Sequence, residues 1–95
     1  MSAIVVARIH VTDPDKYESY KPLSKQAIED FGGRYLVRGA TPTTLEGKSD
    51  DVRYVVLEFE SVEAATRFYD SPGYLRARKA REGASDTVID VVEGV

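Results

Sequence analysis

The side chains of this sequence with the widest chemical range are few, and several fall on one surface. His10 is the only imidazole, and it follows Arg8 by two positions in the run Ala3 to Val11, AIVVARIHV, which is rich in β-branched residues. Alternate residues of a strand share a face, so a strand here points Arg8 and His10 the same way. Tyr54 and Glu58 from DVRYVVLEFE, and Asp90 from TVIDVVEGV, fall on that face by parity. Together they suit a small anionic or carbonyl-bearing molecule. Arg8 would pair a carboxylate, and His10 would act as general acid or base with Glu58 or Asp90 orienting it. The same residues have a plainer reading: Arg8 and Glu58 satisfy each other as an ion pair, and His10 is a solvated or dimer-contact residue at a strand end.

Other candidates lie elsewhere. Tyr35 and Arg38 belong to RYLVRG, a second strand whose facing the pattern leaves open. Tyr74 and Arg81 are seven residues apart, two helical turns, and so share a helix face that would form a pocket wall or a dimer contact. The basic run around Arg76, Arg78 and Lys79 flanks a narrow apolar stripe and reads as a solvated helix.

Several chemistries are excluded. Without cysteine there are no disulfides, thiolate ligands or thiol nucleophiles. A single histidine leaves a metal only carboxylates in no recognisable spacing, so neither a metal nor a cofactor is expected. No serine sits in a nucleophile elbow, and GGRYLVRG lacks the spacing and context of a phosphate loop. A net charge of −3 opposes nucleic-acid backbones, and the strand aromatics do not share a face as base-stacking platforms require.

The elements that must hold these residues follow from local signals. Asp13-Pro14 starts a helix, with Asp13 as N-cap and Pro14 at the first helical position. Its apolar stripe runs through Tyr17, Tyr20, Leu23, Ala27, Ile28 and Phe31 to a stop at Gly32-Gly33, and Pro22 predicts a kink near Tyr20 to Leu23. Strands are expected over Arg34 to Gly39, Asp51 to Glu60 and Asp86 to Glu93, the first two joined by the turn-rich ATPTTLEGKSD. Ser61 caps a second helix, which breaks at Ser71-Pro72, where the cap-then-proline logic recurs, and resumes from Pro72 to about Glu82.

The order βαββαβ predicts an α+β fold: a ferredoxin-like sandwich with a four-stranded antiparallel sheet, order 4-1-3-2, and both helices on one face. One domain, residues 1–95, is expected. The chain reads as cytoplasmic, with no signal peptide and no apolar run near the roughly 18 residues of a membrane span. On the helix-free face, Ile4, Val6, Val56, Val88 and Val92 are more aliphatic than a solvated surface requires. The economical cover is a second copy of the chain, a two-fold homodimer through that face.

The runs VTDPDKYESY, GGRYLVRG, TLEG, VVLEFES, FYDSPGY and VVEGV, which span nearly the whole chain in order, resemble the domain of unknown function 1330 family within the dimeric α/β-barrel superfamily. The resemblance implies a ferredoxin-like subunit, a dimer whose two sheets enclose a barrel, and no particular activity. Tyr69, Ser71, Tyr74 and Arg81 match positions that recur in the family and are carried as substrate-binding candidates on that ground. The sequence departs from the usual pattern at Ala40, Glu60 and Gly73, the last weakening its helix start by up to about 1 kcal/mol. Related families on the same barrel include cofactor-independent monooxygenases, haem-degrading enzymes and isomerases, a likeness of fold alone.

Two functions remain in view. One is a small-molecule-binding protein, with a cofactor-independent enzyme as its catalytic form, using a pocket between helices and sheet or inside the dimer barrel. The other is a dimeric accessory or stress-associated domain without chemistry of its own. A polar pocket containing Arg8, His10 and Glu58 favours the first, and mutual ion pairs at a rim favour the second.

Overall fold

Asp13 opens the helical layer as its side chain requires: its Oδ1 accepts the Lys16 N–H at 3.2 Å, and Pro14 takes the first helical position. The computed structural model describes residues 2–95. Its elements are β1 (Ala3–Val11), α1 (Pro14–Glu18), α2 (Tyr20–Asp30), β2 (Arg34–Ala40), β3 (Arg53–Phe59), α3 (Val62–Asp70), α4 (Pro72–Ala80) and β4 (Ser85–Glu93). The strands form one antiparallel sheet in the order β2-β3-β1-β4, with α2, α3 and α4 packed on one face. This is the ferredoxin-like order read from the sequence.

The alternation of the central strands decides which side is core. Ala3, Val5, Ala7 and Ile9 of β1 and Leu57 and Phe59 of β3 are buried beneath the helices, where Ile28, Ala65, Phe68, Tyr74 and Ala77 meet them. Gly33 lets the α2–β2 turn close onto this layer. A Cβ there would stand 2.6 Å from the Phe59 ring and 3.0 Å from Ile28, so no larger residue fits without displacing the core.

Both helical segments of the fold are broken, each for a local reason. The first is interrupted at Ser19, just before the kink expected from Pro22. Breaking the helix there puts Pro22 in the first turn of α2, where a missing N–H leaves no hydrogen bond unmade, and relieves its clash with the Glu18 carbonyl. The second is broken at Ser71, which closes α3 and opens α4. Its hydroxyl donates to the Phe68 carbonyl at 2.7 Å and accepts the Tyr74 N–H at 3.2 Å. Capping chemistry and Pro72 together turn the chain and direct Tyr74 inward.

Candidate functional site

Between the helical layer and the sheet lies a cavity of about 260 Å³. Its floor is the core face of the sheet, including Ala7, Ile9, Val55, Leu57 and Ile89, and its walls carry Tyr17, Tyr20, Ser24 and Ile28 from α1 and α2 and Tyr74 from α4. Tyr35, Arg38, Gly39 and Arg53 close the side formed by β2 and β3, and Lys21 stands at the rim. Four tyrosines and three cationic side chains thus line the space, with no carboxylate among them.

The side of the cavity formed by β2 takes its lining from an irregular strand. Tyr35 pairs with Leu57, Val37 with Val56, Arg38 with Val55 and Ala40 with Tyr54, so the register slips once on each side of the Val37–Arg38 pair. Each bulge inserts one residue, Leu36 and then Gly39, and the second has the positive φ of 82° that glycine accepts readily. Tyr35 and Arg38, which a regular strand would place on opposite faces, both join the cavity through this slip. The Arg38 guanidinium lies 4.5 Å from the Tyr35 ring centre.

Aromatic packing holds the walls. A row of rings runs Phe59, Phe68, Tyr74, Tyr20 and Tyr17 with successive centroids 5.0, 4.5, 6.1 and 5.1 Å apart, each pair worth roughly 0.5–1.5 kcal/mol beyond its burial. Phe68 and the three tyrosines of the row line the cavity, and the Tyr20 and Tyr74 hydroxyls are hydrogen-bonded at 2.6 Å. Burial, with Tyr20 adding to it, pushes the Tyr17 phenol up to about 12. Burial and the neighbouring Tyr20 push Tyr74 well above the ordinary phenol value, Arg81 opposing. Tyr35 is raised by burial, Arg38 pulling the other way. At neutral pH these phenols keep their protons and serve as donors.

Arg81 stands behind this wall, its guanidinium 5.3 Å from the Tyr20 ring centre. Burial pulls its pKa down, but the phenols of Tyr74, Tyr20 and Tyr17 outweigh this and the net shift is upward. Tyr74 lines the cavity and Arg81 does not, although both stand against Tyr20. Ser71 is buried, its hydroxyl engaged in both helix caps, and it does not line the cavity. Tyr69 faces away, with Arg78 stacked 4.2 Å over its ring, and lines a smaller apolar groove with Ala65, Thr66 and Val91.

The cluster of Arg8, His10, Tyr54, Glu58 and Asp90 sits on the opposite, helix-free face. Arg8 pairs with Asp90 at 3.6 Å and Glu58 with Arg34 at 2.7 Å. The His10 Nδ1 lies 3.2 Å from the Asp51 carbonyl, which can only accept, so Nδ1 is the donor in this contact. The register sets Asp90 beside Val6 and Glu58 beside Ile4, about 14 and 20 Å along β1 from His10. Within one subunit neither carboxylate reaches the imidazole, and the acidic residue opposite His10 is Asp86. Among the described residues no three of His, Asp and Glu converge as a metal site would require.

Tyr17, Tyr20, Lys21, Ser24 and Arg53 line the cavity without having been singled out in the sequence. Tyr17 and Tyr20 do lie on the expected apolar stripe of the first helix. The available signal was residue type: tyrosine rather than phenylalanine at successive buried positions implies hydroxyls in need of partners.

The comparisons with known proteins agree on the fold. The family model described as Domain of unknown function (DUF1330) matches residues 2–95. A crystal structure of a protein of unknown function from Rhodopseudomonas palustris superposes with a TM-score of 0.76 at 21% identity, covering 99% of this chain and 82% of that one. SnoaB, a cofactor-independent oxygenase from Streptomyces nogalater, gives a TM-score of 0.66 at 22% identity over 99% of this chain and 93% of its own. A dimeric ferredoxin-like protein of unknown function from Jannaschia sp. CCS1 gives 0.72 at 12% identity over 99% and 100%. No curated protein matches the sequence.

Proposed function

The chain belongs to the domain of unknown function 1330 family, and on that premise we propose that it binds a small anionic or carbonyl-bearing compound of one or two rings in the cavity between helices and sheet. One observation carries this: the lining combines four phenols and three cations over an apolar floor and contains no carboxylate. A volume of about 260 Å³ lies just under the roughly 300–1,000 Å³ of sites for drug-sized ligands, which limits the occupant to a small ring system. Phenol donors and the Arg38, Arg53 and Lys21 cations favour oxygen anions, and the flat aromatic walls favour a flat ligand.

A cofactor-independent enzyme is the catalytic form of this reading, supported by the shared fold with SnoaB. The lining has neither imidazole nor carboxylate, so its contribution to chemistry is to orient a substrate and stabilise negative charge on its oxygen. The working unit in this proposal is a homodimer through the helix-free face. Support comes from Val88 and Val92, which stand 50% and 53% exposed on that face, and from the dimeric state in the name of the Jannaschia protein.

A second reading, a non-catalytic dimeric accessory domain, is favoured by the helix-free face itself. There Arg8 and Glu58 are each held in an ion pair and His10 is tied to the Asp51 carbonyl, as a face-to-face contact would use them.

Calorimetric titration with 1-hydroxy-2-naphthoate and with its neutral amide decides between them. The binding reading expects saturable binding of the carboxylate, at least about tenfold tighter than the amide because ion-paired hydrogen bonds are the stronger kind. Absence of binding by both compounds, or equal affinity, would remove the proposed anion site.

A further inference from the structure

The hydroxyls of Tyr20 and Tyr74, 2.6 Å apart, have two protons between them, and only one can occupy their shared hydrogen bond. Burial settles which. Among the described residues the Tyr74 hydroxyl has no acceptor but the Tyr20 oxygen, so its proton goes to Tyr20, and the Arg81 guanidinium, which can only donate, stands 5.3 Å from the Tyr20 ring centre. Tyr74 is 2% exposed, whereas Tyr20 is only half-buried. The leftover proton is therefore on Tyr20, which lines the cavity. Among the described residues no carboxylate lies within ion-pair distance of Arg81, and its Nε is buried without a hydrogen-bond partner. Its positive charge is left uncancelled by any acid and bears on the phenol pair.

Resting on the cavity reading above, we infer that Arg81, Tyr74 and Tyr20 form a polarised relay whose last donor, the Tyr20 hydroxyl, holds an oxygen that is ionised in the bound ligand. The ligand class is then narrower than an anion in general: a phenol or an enolisable carbonyl compound whose ring fills the apolar floor and whose oxyanion meets Tyr20. Hydrogen bonds in a chain strengthen one another, and a donor backed by a buried cation favours charge on its acceptor. Arg81 and Tyr74 act here as positioning residues. Tyr17 and Tyr35 are the other titratable groups that face Tyr20, and Arg38 and Lys21 add positive charge at the rim.

The test uses 4-nitrophenol, whose ionised form has its own absorption band, and 4-nitroanisole, which has the same ring and no ionisable oxygen. With the intact protein, bound 4-nitrophenol should ionise about one pH unit or more below its free value. Tyr20→Phe should weaken nitrophenolate binding about 10- to 100-fold and leave 4-nitroanisole unchanged. Tyr74→Phe and Arg81→Gln should return the bound probe's ionisation towards its free value, again with 4-nitroanisole unaffected, a readout that loss of structure alone would not give. If Arg81→Gln fails to fold, the isosteric Tyr20→Phe still decides. Binding of 4-nitrophenol with an unshifted or raised ionisation, or with no response to Tyr20→Phe, overturns the relay and leaves the cavity reading standing. Failure of both probes to bind overturns the two together.

Discussion

Tyr35 and Arg38 stand three positions apart on one strand and yet share a face, the guanidinium 4.5 Å from the ring centre. An odd spacing in a regular strand sends side chains to opposite sides. The bulge at Leu36 changes the parity once between them, so two residues that look unrelated in sequence close one side of the cavity, and a second bulge at Gly39 follows Arg38.

The second bulge depends on Gly39, at φ 82° with open space where a Cβ would go. An alanine there is strained by its backbone and not by its neighbours. Gly39→Ala should cost about 1–2 kcal/mol in urea denaturation, from the left-handed penalty. It should also weaken naphthoate binding more than an equally destabilising core substitution does, because the strained bulge no longer aims Arg38. A loss below about 0.5 kcal/mol would mean that the bulge is not held by glycine.

Ser71 tests whether the helix break is structural. Its hydroxyl serves Phe68 and Tyr74 and does not line the cavity. Ser71→Ala should lower stability by about 0.5–2 kcal/mol as other lost caps do. Ligand affinity, measured well below the unfolding midpoint, should stay within about twofold. A large affinity loss in a fully folded variant would place Ser71 in the binding site after all.

What could be read from the sequence was local chemistry and what could not was register. Asp13-Pro14 and Ser71-Pro72 announce their helices because a cap and a proline act within one turn, and the core faces of β1 and β3 follow from alternation. The facing of Tyr35 and Arg38 depends on how β2 pairs with β3, which no short window contains. The cavity is hidden for a related reason. Tyr17, Tyr20 and Tyr74 fall on stripes that read as ordinary core, and a space between packed elements leaves no mark on either stripe. His10, Arg8 and Glu58 carry the more conspicuous chemistry in the sequence, share a face by alternation, and lie across the sheet from the cavity.

The buried phenols predict an alkaline limit. Tyr17 ionises at about 12 in the folded chain against 10.0 for a free phenol, and Tyr74 and Tyr35 are raised too. Below the unfolded value both states keep these protons and stability is unaffected. Above it the unfolded chain ionises first, so stability is lost as pH rises from about 10 towards about 12. Urea midpoints across this range, read beside tyrosinate absorbance, should fall in step, and Tyr17→Phe should soften the fall. A midpoint that stays flat to pH 12 would show that Tyr17 is not buried as described.

The helix-free face gives the last prediction, because its aliphatic residues are exposed in a single subunit. Val88 is 50% exposed and lies opposite Arg8, on the same face as Val6 and Val56. If two copies meet there, each Val88→Lys subunit brings an ammonium to the contact beside the cation of Arg8, and withdrawing such charges from water costs several kcal/mol. Sedimentation should then show the wild-type chain as a dimer at micromolar concentration and the variant weakened by at least about 100-fold. The subunit itself should keep its unfolding midpoint and its naphthoate affinity, because the cavity opens on the other side of the sheet. A wild-type chain that sediments at 10.5 kDa at that concentration would mean that these valines are strand formers on a wet face.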